Sequence, residues 1–411
     1  MYLYQNSSAI NEQFIYNFNG SINVPQKVLS IFNRKVSKTD MNNISPNNFQ
    51  FAYDSCMYFI FLLSINRKRL YKKISSKQLS KIFTKDGNQY KRIIDLLKSN
   101  KVGVIEENSD YKKNTYSKSF RLVPSVWDSK NVVVLLKSEL VTKINQNRIN
   151  QYIKAIENPI ANNCLIVREM VELPSNEEII RHAKKLIKQD FKHKGKALVF
   201  NKNAKENTII VENSLLTFDR LKNANLIPKI GNHRSGGRVV DTFTLMPSWM
   251  RSLIKLNDNK IVQLDYNCLH PNLAMSIYGG SSKFITHKMV ADELDLPIHE
   301  VKTLHLSFFN ALPWQMKLSK IYCYYSKNEP ELLNRILHEK ANSKYKHKIT
   351  SQRLFSLEVL IMTAVITKLN ALNIFVIYVY DAIFCEEKYL DVCRDIMNQT
   401  VLEFGVFTLA Q

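Results

Sequence analysis

Glycine is scarce in this chain, with ten in 411 residues. Nowhere do the glycines gather into a GxxxxGK loop, the backbone cradle for nucleotide phosphates, so an ordinary P-loop nucleotidase is disfavoured. Cysteine is equally thin. Cys56, Cys164, Cys268, Cys323, Cys385 and Cys393 form no CxxC pair and no metal-type cluster in the sequence, which leads to the expectation of a reduced, cytoplasmic protein. No uninterrupted apolar run is long enough to span a bilayer, so no membrane partner is expected. The opening MYLYQNSSAINEQF lacks the basic-then-apolar shape of a signal peptide. Acidic residues are few: 36 Asp and Glu stand against 58 Lys and Arg, giving a net charge of +22. That excess favours a polyanionic partner, nucleic acid first. A Lys- and Asn-rich composition also follows from an AT-rich genome, but such a bias does not by itself suppress acidic residues.

What is present is a globular composition, 45% hydrophobic, in a chain long enough for two or three domains. Residues 1–50 are polar and weakly periodic and read as a loosely packed arm. Residues 51–130 are denser in pattern. Helices are expected over 53–65, 75–83 and 88–100, with a turn at Asp86-Gly87. Short strands are expected at 102–106 and 119–122, around a basic loop that carries Lys112 and Lys113. Three helices and a two-stranded wing resemble a winged helix-turn-helix, in which the third helix and the wing meet DNA. Lys91, Arg92, Lys112 and Lys113 would then be the nucleic-acid contacts. The other reading is a small helical packing module with solvated lysines. Residues 131–213 are expected to be mostly helical, with the clearest amphipathic helix at 177–191 and a basic loop over 192–207. From about residue 214 to 411 short apolar strands alternate with longer helices, so this part is α/β or α+β.

The chemistry gathers at two places in that last region. Residues 261–264 form a short apolar run that reads as a buried strand and ends on Asp265. Residues 374–380 repeat the pattern and run into Asp381. Two aspartates at the ends of neighbouring strands can bridge a pair of Mg²⁺ ions ~4 Å apart, which activate an attacking 3′-hydroxyl and stabilise leaving pyrophosphate. Carboxylates without a Cys/His set suit a hard cation, Mg²⁺ or Mn²⁺. Equally, each Asp can be a separate structural residue, because strand-end aspartates usually cap the next helix. Over 295–309 a helix is expected with Val301, Leu304 and Phe308 on a buried face and His299, Lys302, Leu306 and Phe309 on another. Over 352–372 the polar residues form one stripe, and Glu358 falls on the opposite, apolar side among Leu354, Met362, Val365 and Leu369. A carboxylate there needs a partner.

An ordered series of motifs over residues 214–411 resembles the palm and fingers of family A DNA polymerases, a group related to the single-subunit phage-type RNA polymerases. Asp265-Tyr266 followed by Pro271, Leu273, Ala274 and Gly279-Gly280 looks like motif A. Upstream, Ser235-Gly236-Gly237-Arg238 looks like the element that touches primer–template phosphates. Ile285-Thr286-His287 with Val290-Ala291 resembles the step into the fingers. Lys302, Leu306, Asn310 and Ala311 fall on the spacing of motif B, and Tyr380-Asp381 resembles motif C. Gln352, Arg353 and Glu358 sit where the family has a polar helix against the primer terminus.

The resemblance implies an α+β right-hand palm and fingers at 214–411, a helical thumb-like segment at 131–213 and a winged-helix-like module at 51–130. It implies metal ligation by Asp265, Asp381 and the Tyr266 backbone. Lys302, Leu306, Phe309, Asn310, His270 and His287 would contact the nucleotide, and Arg238, Gln352 and Arg353 the nucleic acid. Its substrates would be a DNA primer–template, or RNA, and nucleoside triphosphates. The pattern departs from the family at Ile298, where a second basic residue is usual, at Asn310-Ala311, at Tyr380, and at His270, where a Glu often governs the sugar choice. No Asp-x-Glu exonuclease element is visible in residues 1–210, so no proofreading is expected. Two alternatives follow: a non-catalytic nucleic-acid-binding replication protein with a decayed palm, and a phage-type RNA polymerase.

Overall fold

Valine and isoleucine at 131–135 and 21–25 build the first tertiary connection. The strands Ser21–Pro25 and Asn131–Leu135 pair antiparallel, Val24 opposite Val132 and Ile22 opposite Val134. The computed structural model describes residues 18–65, 71–83, 88–108, 117–193, 195–200, 208–224 and 226–411. It is a mixed α+β protein. The chain divides into two units that interleave along the sequence. One holds the described residues up to Ile153 with Pro174–Ile227 and Leu245–Arg251, and the other holds Lys154–Leu173, Pro228–Thr244 and Ser252–Gln411. Sequential boundaries at 50, 130 and 213 do not follow these units, because strand pairing and helix packing between distant segments decide membership.

In the first unit the expected loose arm is a correction. Residues 18–50 carry the strand Ser21–Pro25 and the helices Gln26–Lys35 and Lys38–Ile44. Val24, Val28, Phe32, Met41 and Ile44 are all buried in the core, so sparse but well-placed apolar residues anchor an otherwise polar segment. A reciprocal box between Ser37 and Asp40 starts the second of these helices. The helices Phe49–Ser64, Ser76–Phe83 and Gln89–Lys98 lie close to the expected spans. The strand Ser119–Leu122 pairs with Ile105–Glu107 on one side and Lys72–Lys73 on the other. The loop with Lys112 and Lys113, and the turn at Asp86-Gly87, lie outside the described residues. Part of the expected basic loop over 192–207 is instead sheet. Lys192–His193 pairs with Lys196–Val199, which runs parallel to Thr208–Ile210.

The second unit is built on a five-stranded antiparallel sheet. Its order is Ile377–Val379, Ala382–Glu386, Asn259–Asp265, Lys255–Leu256, Val171–Glu172. The helix Ile349–Ala371 is the long axis of this unit and packs on the helices Pro159–Met170 and Leu390–Glu403. With its preceding turn, Lys346–Ala371 is long and apolar enough to cross a membrane by length and composition. The expectation that no segment meets that test is therefore corrected, because averaging over the helix tolerates the interspersed polar residues that break the run. In this unit its apolar side is core: Leu354, Ile361, Met362, Val365, Ile366 and Leu369 are buried.

Candidate active site

Asp265 ends its strand opposite Ala382, so Asp381 is the residue immediately before the partner strand begins. The two carboxylates come together because the sheet register puts them there. The sequence reading ran a strand through Tyr380 into Asp381. The structure corrects this: Ile377–Val379 and Ala382–Glu386 form a hairpin, Val379 faces Ala382, and Tyr380-Asp381 is its two-residue turn. Two apolar runs separated by two residues are a hairpin signal. Tyr380 holds φ +62°, a conformation hairpins usually give to Gly or Asn. Strain of this kind persists only where the surroundings hold it in place, and it gathers at functional sites. On the other edge of the motif strand, Asp265 exchanges both backbone hydrogen bonds with Gln411, at 3.0 and 2.9 Å.

Electrostatics mark the pair. Burial first, then the Asp381 charge, push the Asp265 carboxyl up to about 7 from 3.8, against a backbone hydrogen bond from Tyr266. Asp265 Oδ1 is buried and has no hydrogen-bond partner. Burial and the nearby Glu358 charge also raise Asp381. Two like charges held together with an orphaned oxygen suit a cation between them.

Glu358 finds the partner its position demanded. It is fully buried, and Arg238 grips it with Nε donating to Oε1 at 2.7 Å and an Nη2 contact to Oε2. His270 Nε2 lies 2.8 Å from Oε2, and the acceptor-only carboxylate assigns the proton to that nitrogen. Burial alone would raise Glu358, but the hydrogen bonds from His270 and Arg238 outweigh it and hold the group below the ordinary carboxylate value. The guanidinium also lies 3.7 Å from the Phe355 ring centre and 4.9 Å from that of Tyr380. Gly236, at φ +64°, makes this approach possible: a Cβ there would sit 2.5 Å from the Phe355 and Ser356 backbone. The two groups the sequence reading gave to nucleic acid and to nucleotide, Arg238 and His270, thus both serve a buried carboxylate.

The helix expected from 295 starts later, at Ile298, because Asp295 takes a left-handed conformation (φ +50°) that closes the preceding helix His287–Leu294. Lys302 and Leu306 are exposed on it, as expected. Phe309 is a correction. It is 2% exposed and packs edge-on to Phe308 and Tyr325, so it offers no face to a base. At the same helix end Lys340, a buried lysine, donates from Nζ to the Phe309 and Ala311 carbonyls at 2.8 Å. Burial lowers its amine to about 8. Asn310 is half-buried there, its backbone N–H bonded to Ser307. Tyr266 is buried, its hydroxyl donating to the Met397 carbonyl.

Gln352 is half-buried, and Arg353 is paired with Glu339 at 2.5 Å. Lys91 and Arg92 are exposed in the first unit, Lys91 bonded to Asn88. His287 lies beside Cys268 and His305, a cluster that the sequence reading missed. No short-range spacing could have signalled it, since the three residues come from three elements.

No family model matches the chain, and no curated protein matches it. Among solved structures it is similar to the POL domain of Pol1 from M. smegmatis, solved in complex with DNA primer-template and dNTP. The identity is 9% and the TM-score 0.39, over 66% of this chain and 72% of that one.

Proposed function

We propose that the second unit is a template-directed DNA polymerase centre of family A type, adding dNTPs to a primer 3′-hydroxyl without proofreading. The observation that carries this reading is the Asp265–Asp381 pair: one carboxylate at the end of a central strand with a buried unpartnered oxygen, the other in the hairpin turn that leads into the neighbouring strand. Asp265, Asp381 and the Tyr266 backbone would hold two Mg²⁺ ions, with Mn²⁺ a substitute. The ions would supply Lewis-acid activation of the hydroxyl and charge neutralisation of the leaving pyrophosphate. The orphaned Asp265 oxygen fits that role. In this reading the five-stranded sheet is the palm, and the helices His287–Leu294 and Ile298–Phe308 belong to the fingers. Lys302, exposed and close enough to bias the Asp265 charge, binds triphosphate oxygens. Gln352 and Arg353 on the long helix contact the primer–template. In the first unit, the helix–strand–helix–helix–strand–strand order supports reading this module as winged-helix-like, with Lys91 and Arg92, exposed on its third helix, as the contacts to nucleic acid.

A second reading, a non-catalytic nucleic-acid-binding protein, draws on one observation: Arg238 and Phe309 are both committed to internal contacts. Primer extension with Mg²⁺, run with dNTPs and separately with rNTPs, separates the two. The polymerase reading expects extension that Asp381→Ala reduces by at least about a thousandfold, since the chemistry is charge neutralisation. Salt-sensitive DNA binding with no extension by either nucleotide set would leave only the binding protein.

A further inference from the structure

We propose that Cys268, His287 and His305 form a second metal site, distinct from the carboxylate pair and suited to zinc. Cys268 Sγ lies 3.5 Å from His287 Nδ1, and His287 Nδ1 lies 3.1 Å from His305 Nδ1. All three donor atoms fall within 4.8 Å of one another. A tetrahedral zinc with its usual Zn–S and Zn–N bonds places nitrogen and sulfur about 3.6 Å apart and two nitrogens about 3.3 Å apart. The two shorter spacings match that geometry, and the third lies within 4.8 Å, so a small side-chain rotation completes the set.

The surroundings are built for it. His305 is 4% exposed, and its far nitrogen, Nε2, lies 3.1 Å from the hydroxyl of the fully buried Tyr325. A hydrogen bond there fixes which ring nitrogen carries the proton and turns Nδ1 toward the cluster, the usual arrangement behind a metal-bound histidine. Phe309 stacks beside the His305 ring, 6.5 Å between centres and 15° between planes. Cys268 is buried and sits in left-handed backbone, φ +56°, at the start of the helix Leu269–Tyr278, where its side chain caps nothing. His287 is only half-buried, so the cluster reaches solvent on its side, where a fourth ligand can enter.

The donor set also sorts the metals. Thiolate and imidazole select a borderline-soft cation, while the Asp265–Asp381 oxygens select a hard one. When the Sγ–metal bond forms, the thiol proton leaves to solvent. The bound ion would tie together three elements of the second unit: the start of Leu269–Tyr278, the start of His287–Leu294 and the last turns of Ile298–Phe308. This inference is independent of the polymerase reading.

The test is cobalt titration of the full chain after chelator dialysis, followed by zinc competition. The site predicts a thiolate-to-cobalt charge-transfer band in the near ultraviolet that saturates at one equivalent and is displaced by zinc. Asp265→Asn keeps that band, and Cys268→Ser abolishes it. His287→Ala at the half-buried position lowers zinc affinity at least tenfold, and Tyr325→Phe lowers it about tenfold. A wild-type chain that is folded by circular dichroism yet shows no band would overturn the proposal. So would a band that survives Cys268→Ser, or unchanged affinity in His287→Ala should the serine variant fail to fold.

Discussion

Replacing Asp265 with asparagine should make the metal-free protein more stable at alkaline pH. Burial and Asp381 push the Asp265 carboxyl up to about 7 from 3.8. An acid whose folded-state value is raised keeps its proton in the folded chain at pH values where the unfolded chain has released it. The folded state then binds more protons, so stability falls as pH climbs from about 4 to about 7 and stays low above that. At ~1.4 kcal/mol per unit, the shift corresponds to on the order of 4 kcal/mol at most. Water reaches the half-buried carboxylate, and screening brings the expected effect to roughly 2–4 kcal/mol. Asparagine keeps the shape and removes the charge. In chelator, Asp265→Asn should therefore exceed wild type by that amount near about pH 8 and match it near about pH 4. Mg²⁺ should raise the stability of wild type at the higher pH by mass action and leave the variant unmoved. Calorimetric unfolding of both full chains across this range, with chelator and with Mg²⁺, reads the difference directly. A gap of equal size at both ends of the range, or a wild type more stable than the variant in chelator at high pH, would refute the charge argument.

Three further outcomes follow from the same unit and its neighbour. Arg238→Met leaves the buried Glu358 with His270 as its remaining partner in place of the guanidinium, and should cost about 3–5 kcal/mol in denaturant unfolding, whereas Arg238→Met combined with Glu358→Met should recover most of it; equal losses in the single and double variants would show that the pair is not coupled. Gly236→Ala meets both a left-handed φ and the Phe355 backbone at 2.5 Å, while Gly103→Ala, at φ +61° with its nearest atom 3.7 Å away, meets only the first. The former should cost at least about 3 kcal/mol and the latter about 1 kcal/mol, measured by the same unfolding series. Lys340→Leu strips the Phe309 and Ala311 carbonyls of their shared donor. It should cost about 2–4 kcal/mol and speed amide exchange at the end of Ile298–Phe308.

How much of this could be read from the chain varies with distance along it. Local signals were legible. The helices Phe49–Ser64, Ser76–Phe83 and Gln89–Lys98 and the strand ending on Asp265 follow from apolar spacing and short-range turn chemistry, and the structure places them within a few residues. Glu358 was legible as a problem, a carboxylate on an apolar face, but its answer was not, since Arg238 lies 120 positions upstream. The Tyr380 turn was missed because tyrosine at a left-handed position masks a hairpin that Gly or Asn would have announced. Phe309 was misplaced because helical periodicity fixes the angle of a side chain and not the packing of the helix end, where Phe309 sits among Phe308 and Tyr325 and Lys340 bonds its carbonyl. The arm over 18–50 was misread because composition averages hide a few anchoring apolar residues. The interleaved units, with Lys154–Leu173 joining a sheet built mostly from residues beyond 250, depend on pairing that no window reports.

Arg238 links these observations into one charge pattern. Asp265, Asp381 and Glu358 lie within one another's field, and the Glu358 charge raises both aspartates. Were Glu358 free, three carboxylates would compete for protons and for cations. Arg238 instead offsets the Glu358 charge in place and His270 adds a hydrogen bond to it, so the carboxylates of the three left, among the described residues, without a bonded cationic side chain are Asp265 and Asp381. The arginine thereby defines the pair without touching it. Substituting Arg238 should then disturb the aspartates even in the absence of nucleic acid, and lost activity in such a variant would not by itself report a phosphate contact.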